Sequence, residues 1–444
     1  MRSKTVSGLH SARHLGPAQW IADSAMPQAV GAPTSHNTLA DTGVLTGLER
    51  THPTYARTLS KGTLTIECLN WDQAGDRFDA WRALAAKSIE TNVFNEPEFA
   101  LSAAQHFAPA NKPVFLFISE KRGGNQTGPL AAVFAIQQPR RVANVTGRLW
   151  CPPEMAVGTP LINPEFGIAS LDLLEDWLAS EFPAMGAFML PMIPATGSFS
   201  ALVQAYTGVR MLQSCQFDLR SRAVLRNAPD TADRVVRWMG RKRHKEMRRL
   251  WRRLAECGSL EFMTAKAAVE LKSATEYFLA LEAMGWKGKR GTALICAPSL
   301  ATFTRTMSRR LASQFNIEID ALTIDRFPVA MAIVLRSGTD AYFWKTTYKE
   351  EYAQYSPGVL LALGMTSRLL NNPDTRFINS CAVPNHPMID HLWPDRIEMT
   401  DLLIGIKGRS DARFTAVAAV EGGRRKMRAA AKSFYHKMRA SVPG

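Results

Sequence analysis

Asp340-Ala-Tyr-Phe-Trp-Lys-Thr-Thr-Tyr-Lys-Glu-Glu-Tyr-Ala-Gln-Tyr-Ser-Pro-Gly-Val-Leu-Leu-Ala-Leu363 is the most informative stretch of this 444-residue chain. Its aromatic and β-branched start, residues 342–347, reads as a strand. A polar turn follows, and a Ser356-Pro357-Gly358 corner opens an apolar helix over 358–371. Proline suits the first helical turn, where its missing N–H would have no partner anyway. Gly358 has no side chain to keep an anion away. Free N–H groups on Gly358, Val359 and Leu360, aided by the helix dipole, would make a pyrophosphate site. A plain strand–turn–helix connection capped by Ser356 is the alternative.

Working outward, strands are expected at 259–264, 317–324, 328–336 and 375–381, and helices at 267–284 and 298–315. An irregular loop rich in Pro and His follows. Residues 63–223 repeat this grammar: helices over 75–90, 96–107 and 168–182, and strands at 64–69, 113–119, 129–137, 187–192 and 209–219. Between the two halves, residues 231–257 read as one amphipathic helix. Val235, Met239, Met247, Leu250, Trp251 and Leu254 share its apolar face, and ten Lys or Arg lie within positions 234–253. The expected organisation is therefore a disordered leader (1–62), an N-terminal lobe (63–223), a basic linking helix (224–258), a C-terminal lobe (259–407) and a basic tail (408–444). The class is α/β with a mixed sheet.

Composition narrows the function. Hydrophobic residues make up 46% and charged ones 21%, which excludes a wholly disordered or fibrous chain. The linking helix and the tail each carry a net +7 of the total +15, leaving both lobes nearly neutral. A folded nucleic-acid groove would spread its basic residues over the lobes, so specific DNA binding is not expected. The two basic segments would instead suit an anionic membrane surface or tRNA. Met427, Ala431, Phe434 and Met438 would give the tail one apolar stripe. Six scattered cysteines without a CxxC pair argue against a zinc ribbon or a disulfide scaffold and fit a cytoplasmic protein. No apolar run is long enough for a membrane span, and His386 and His391 lack a third ligand, so a local turn is preferred to a metal site there.

Four segments carry a family resemblance: Gly158-Thr-Pro-Leu161, Met247-Arg-Arg-Leu-Trp-Arg-Arg-Leu-Ala-Glu-Cys-Gly258, Leu281-Glu-Ala-Met-Gly-Trp-Lys-Gly-Lys-Arg-Gly-Thr-Ala293 and Tyr352-Ala-Gln-Tyr-Ser-Pro-Gly-Val-Leu-Leu361. In this order they resemble the GNAT acyltransferases, specifically the cellulose-biosynthesis-type acetyltransferases, and the Fem-type transferases with two tandem GNAT lobes. The resemblance covers residues 64–405 and implies two tandem GNAT-like lobes joined by the basic helix. It also implies transfer of an acyl group, acetyl above all, from acetyl-CoA to an amine or hydroxyl. The acceptor would be a small molecule or glycan of exopolysaccharide or cell-envelope metabolism. Fem-type relatives use aminoacyl-tRNA instead, which is the alternative donor, and a non-catalytic GNAT-fold binding protein is the third reading.

Carried onto this sequence, Tyr342 to Thr346 would offer a strand edge to the pantetheine. Lys345, Ser356, Pro357, Gly358, Val359 and Leu360 would hold the donor. Acyl transfer needs a proton acceptor for the nucleophile and a donor for the leaving thiolate. Tyr348, Glu351 and Tyr355 are the candidates beside the donor turn. Trp286 and Lys287, in a glycine-punctuated basic loop, would meet the acceptor, and no metal is expected to take part.

Overall fold

Two sheets run through the computed structural model, which describes residues 58–107, 112–122, 127–137, 145–406, 408 and 411–440. The smaller has the order β1 (Thr58–Lys61), β2 (Leu64–Asn70), β3 (Pro113–Lys121), β4 (Thr127–Gln137), β6 (Leu161–Ile162). The larger has nine strands: β5 (Thr146–Arg148), β7 (Ala187–Pro194), β14 (Asp395–Gly405), β8 (Ser214–Arg226), β13 (Phe377–Asn379), β12 (Asp340–Tyr348), β11 (Phe327–Ser337), β10 (Ile317–Ile324) and β9 (Leu260–Ala265), in that spatial order. Most neighbours are antiparallel, but β5–β7 and β12–β13 are parallel, so the sheet is mixed and the class is the expected α/β. Of the expected leader, residues 1–57 lie outside the described residues, and 58–61 form β1 paired to β2.

The strands follow from their sequences. β11, Phe-Pro-Val-Ala-Met-Ala-Ile-Val-Leu-Arg-Ser, is apolar on both faces and is buried on both. One face meets α7 (Ala268–Met284) and α9 (Pro298–Ala312), and the other meets α10 (Pro357–Leu370). In the first lobe α1 (Phe78–Ala85) and α2 (Pro97–His106) cover one side of the small sheet, while α3 (Gly167–Glu181) covers the other. The lobes share one continuous core. Trp81, Phe99 and Phe115 belong to it together with Phe278, Phe303 and Trp344. Phe99 meets the ring of Phe303 edge-on at 5.2 Å, in an aromatic geometry worth about 0.5–1.5 kcal/mol beyond area burial.

Three elements differ from the sequence expectation. The linking helix is two helices, α5 (Thr231–Met239) and α6 (Arg241–Ala255), because Gly240 takes a φ of 78° that ends the first and turns the second. Val235, Met239, Met247, Leu250 and Leu254 are nevertheless buried in one cluster, with Trp251 packed against it. Residues 198–210 form α4, so the strand expected from 209 begins only at Ser214. The loop expected after residue 381 ends at β14, which enters the large sheet between β7 and β8.

The tail is the helix α11 (Asp411–Ala440), docked through Phe414 and Val417 onto Ala187, Met189 and Leu403. Arg425 ties it to Asp401 at 2.7 Å. Met427 of the expected apolar stripe is exposed; Phe434 and Met438 lie outside the described side chains.

Candidate active site

β12 carries the site because its two edges are treated differently. On one side it pairs with β11 along almost its whole length, from Asp340↔Ser337 to Tyr348↔Ala330. On the other it meets β13 only through Asp340, Ala341 and Tyr342. From Phe343 onward no strand among the described residues lies beside that edge. The register to β11 also slips between Ile333 and Val334, leaving Trp344 as an extra residue that bulges from the ladder. Tyr342 and Trp344, two apart on the strand, reach the same interlobe core: the Tyr342 hydroxyl donates to the Thr91 carbonyl at 3.0 Å, and Trp344 Nε1 to the Glu154 carbonyl at 2.8 Å.

The gap left by β13 is a cavity of about 750 Å³. Its walls are the free part of β12, the start of α10, the short helix α8 (Trp286–Lys289) and the segment 380–389. That volume is in the range of small-molecule sites.

The α10 end is less rich in free donors than expected. Ser356 adopts a left-handed conformation (φ 52°, ψ 49°), and its side chain caps nothing. Its carbonyl accepts from both Val359 N–H (2.9 Å) and Leu360 N–H (3.1 Å), so those two groups are not available to an anion. Gly358 N–H is the donor left at this end, since Pro357 has none. Gly358 itself has helical φ, and a Cβ there would stand 3.5 Å from Tyr348 Cδ1, an ordinary contact. Neither the backbone nor the packing requires glycine at this position. The room beside it is consistent with a ligand passing close to the main chain.

The remaining expected residues separate into two groups. Lys345, Tyr348, Ser356, Pro357, Gly358, Val359, Trp286 and Lys287 all line the cavity. Glu351, Tyr355 and Leu360 do not. Residues 350–355 form a 3₁₀ turn, in which side chains three apart fall in line. Ala353 and Ser356 face the cavity; Glu351 lies outside it and pairs with Lys349. Tyr355 sits against Cys257 and under the Arg253 guanidinium of α6, 5.6 Å from its ring. Leu360 is buried in the core beneath the helix.

Lys287 is engaged internally: its ammonium donates to Glu282 Oε1 at 2.7 Å and to the Thr346 carbonyl at 2.9 Å. Trp286 is half exposed, with Arg290 stacked 5.0 Å from its ring. Lys345 has no such anchor. It is deeply set, its ammonium 5.3 Å from the Trp344 ring centroid, and burial, then the neighbouring Lys287, pushes its pKa below the usual lysine range.

Sequence reasoning overlooked the wall at 380–389. There His386 Nδ1 accepts the N–H groups of Met388 and Ile389, each at 3.3 Å, and the main-chain N–H of His386 donates to Asp390 Oδ2 at 3.0 Å. Burial lowers the pKa of His386, so at neutral pH it is an uncharged imidazole protonated on Nε2. Cys381, also lining, has its thiol pushed up to about 12 by burial and is no nucleophile at neutral pH. The signal was present in the Pro- and His-rich composition right after β13, but it reads as a loop until β13 is known to stop at residue 379. Among the described residues no group of three or more His, Cys, Asp or Glu is placed to hold a metal, and no helix is long and apolar enough to cross a membrane.

A strand that parts from its parallel neighbour and faces the start of a helix across the gap agrees with the comparison of sequence families. Residues 241–378 match the model of the acetyltransferase (GNAT) domain. That stretch, from α6 into the second lobe, therefore matches a GNAT acetyltransferase domain. The FemX crystal structure is similar with a TM-score of 0.50 at 8% identity, over 72% of this chain and 95% of that one. A conserved protein of unknown function from Bacteroides thetaiotaomicron gives a TM-score of 0.45 at 10% identity, over 74% of this chain and 97% of its own. A C-terminal DUF2156 domain from Agrobacterium fabrum gives 0.46 at 10% identity, over 78% and 95%. At these identities FemX speaks for the fold alone. No curated protein matches the sequence.

Proposed function

We propose that this GNAT-type enzyme takes its acyl group from acyl-CoA, acetyl-CoA in the first instance, and passes it to an amine or hydroxyl acceptor. The observation that carries the reading is the free edge of β12 from Phe343 onward, facing the start of α10 across the cavity. An extended amide-bearing arm can hydrogen-bond along such an edge as an added strand would. Gly358 N–H would meet the donor's phosphate end, and the space beside Gly358 fits that approach. The acceptor nitrogen or oxygen attacks the thioester carbonyl and releases its proton to solvent water, the C–S bond breaks, and the departing thiolate takes a proton. Tyr348 is the expected catalytic residue that lines the cavity, and we assign that proton to its hydroxyl. The family resemblance alone suggests an acceptor from exopolysaccharide or cell-envelope metabolism.

Calorimetric titration of acetyl-CoA tests the donor. Saturable binding is expected, weakened by about 100-fold or more in Gly358→Glu, which places a carboxylate where a phosphate should pass. Absence of binding at millimolar acetyl-CoA would overturn this reading.

One feature favours a second donor, aminoacyl-tRNA. On α6, Arg241, Lys242, Arg243, Lys245 and Arg248 have no carboxylate partner among the described residues, and α6 packs beside the 350–355 turn that borders the cavity. Reversing these charges should abolish turnover with an aminoacyl-tRNA donor and leave small acyl-CoA donors much less affected.

A further inference from the structure

The cavity has two ends, and they differ in charge. At one end Tyr348 lies against Gly358. Lys345 stands three residues back along β12, about 10 Å at the rise of an extended strand. Its ammonium lies 5.3 Å from the Trp344 ring centroid. The proposed diphosphate contact is to Gly358 N–H at the start of α10, whereas Lys345 belongs to the strand wall of the cavity.

Among the described residues no carboxylate forms an ion pair with Lys345. Lys287 is neutralised by Glu282, whose second oxygen accepts Leu294 N–H at 2.7 Å. Glu154 and Glu282 act on Lys345 only at longer range, and neither forms an ion pair with it. Behind the same wall Arg222 is buried as well. Its guanidinium donates to two carbonyls, Ala382 at 3.1 Å and Ala156 at 2.7 Å, with no carboxylate partner among the described residues. Cys381, which lines the cavity, lies within electrostatic reach of both cations. Among the described residues, the Lys345 end thus presents an accessible ammonium that pairs directly with no carboxylate. Charges taken out of water are ordinarily paired, and removing that pairing is costly.

We propose that the Lys345 end of the cavity is a carboxylate subsite, so that the second substrate, or the acyl group itself, carries a carboxylate that pairs with the Lys345 ammonium. The inference rests on the acyl-transfer reading and names the substrate class of that site. A carboxylate on the acceptor and one on the acyl chain present the same chemistry to Lys345, and the experiment distinguishes them.

In the donor arm, succinyl-CoA and acetyl-CoA are titrated against the wild type, Lys345→Met and Lys345→Arg. In the acceptor arm, thiol release from acetyl-CoA is measured with glycylglycine and with its C-terminal amide. A third arm titrates glutarate alone, against inorganic phosphate. The expected result is a preference for the carboxylate form of about tenfold or more in one of the first two arms, the size of a charge-assisted hydrogen bond. That preference should collapse in Lys345→Met and persist in Lys345→Arg. Lys345→Met should melt no lower than the wild type, because it removes a cation without a protein partner. If it does not fold, Lys345→Gln replaces it.

Equal handling of the carboxylate-bearing and carboxylate-free compounds in both arms, a preference indifferent to Lys345→Met, or phosphate binding as well as glutarate would each overturn the subsite. If acetyl-CoA fails to bind, the donor reading falls separately. The subsite then stands only if glutarate binds the wild type and not Lys345→Met.

Discussion

In the second lobe β12 runs past its neighbour β13 and leaves a cavity, whereas in the first lobe the space between β4 and β7, which belong to different sheets, is filled by the chain itself. Residues 149–163 stitch the two sides together. Trp150 N–H donates to Ala135 and Asn163 N–H to Ala131 on β4, while Leu149 and Gly158 donate to Met189 and Met192 on β7. Asn92 and Asn95 clamp the Val157 and Thr159 carbonyls from the other side. Trp150, Met155 and Val157 of this segment are buried in the interlobe core. Two lobes of similar grammar thus diverge through one connection: the plugged one serves as a supporting wall, and the open one can take a ligand.

Removing the plug should give the largest effect. Trp150→Ala leaves a hole among Phe107, Phe115 and their neighbours, and should cost about 3–5 kcal/mol in chemical denaturation. A loss below about 1 kcal/mol would mean that the first lobe tolerates an open gap and that the contrast is shallow.

The coupling between the lobes comes next. Glu96, in the first lobe, accepts from Asn316 at 3.2 Å and from the Ser337 hydroxyl, both in the second. Burial, helped by nearby Glu98 and opposed by Arg82, raises its pKa to about 7. A carboxyl protonated in the folded state but ionised when unfolded adds stability that is complete below about pH 4.5 and lost as pH rises through about 7, a swing of about 3 kcal/mol. Glu96→Gln should therefore melt progressively higher than the wild type as pH goes from 5 to 8. A pH-independent difference would show that Glu96 is already ionised.

The smallest expected effect comes from two glycines. In Gly158→Ala the new Cβ would meet the Pro191 carbonyl oxygen at 2.0 Å, so about 1–3 kcal/mol of stability should be lost. In Gly358→Ala the melting temperature should hold while acetyl-CoA affinity falls. If both variants lose stability alike, Gly358 serves packing and the contrast between the lobes is wrong at its central point.

Much of this was legible locally. The periods of 317–324, 328–336 and 298–315 coincide with β10, β11 and α9 to within a few residues, because each buries a face that its own pattern declares. The Ser-Pro-Gly corner likewise opens α10 where expected. The free edge was not legible, since it depends on β13 being three residues long and bound to β8, far away in sequence. β14 hid for another reason. Its buried Asp401 breaks the apolar pattern, and the cations that compensate it, Arg220 and Arg425, come from distant segments. Lys287 looked like a free cation because its partner Glu282 lies on the preceding helix and reads as one more surface charge.

The place of β14 has a consequence for biosynthesis. Its Met399 pairs with Pro194, a strand partner made some two hundred residues earlier. At 5–20 residues per second a ribosome needs about 10–40 s to bridge that interval. Throughout it, β7 and β8 wait with hydrogen-bonding edges exposed, a template for wrong partners. The nascent first lobe should therefore be the stage at which this protein depends most on holding chaperones, and a stall before residue 395 should be its most aggregation-prone intermediate.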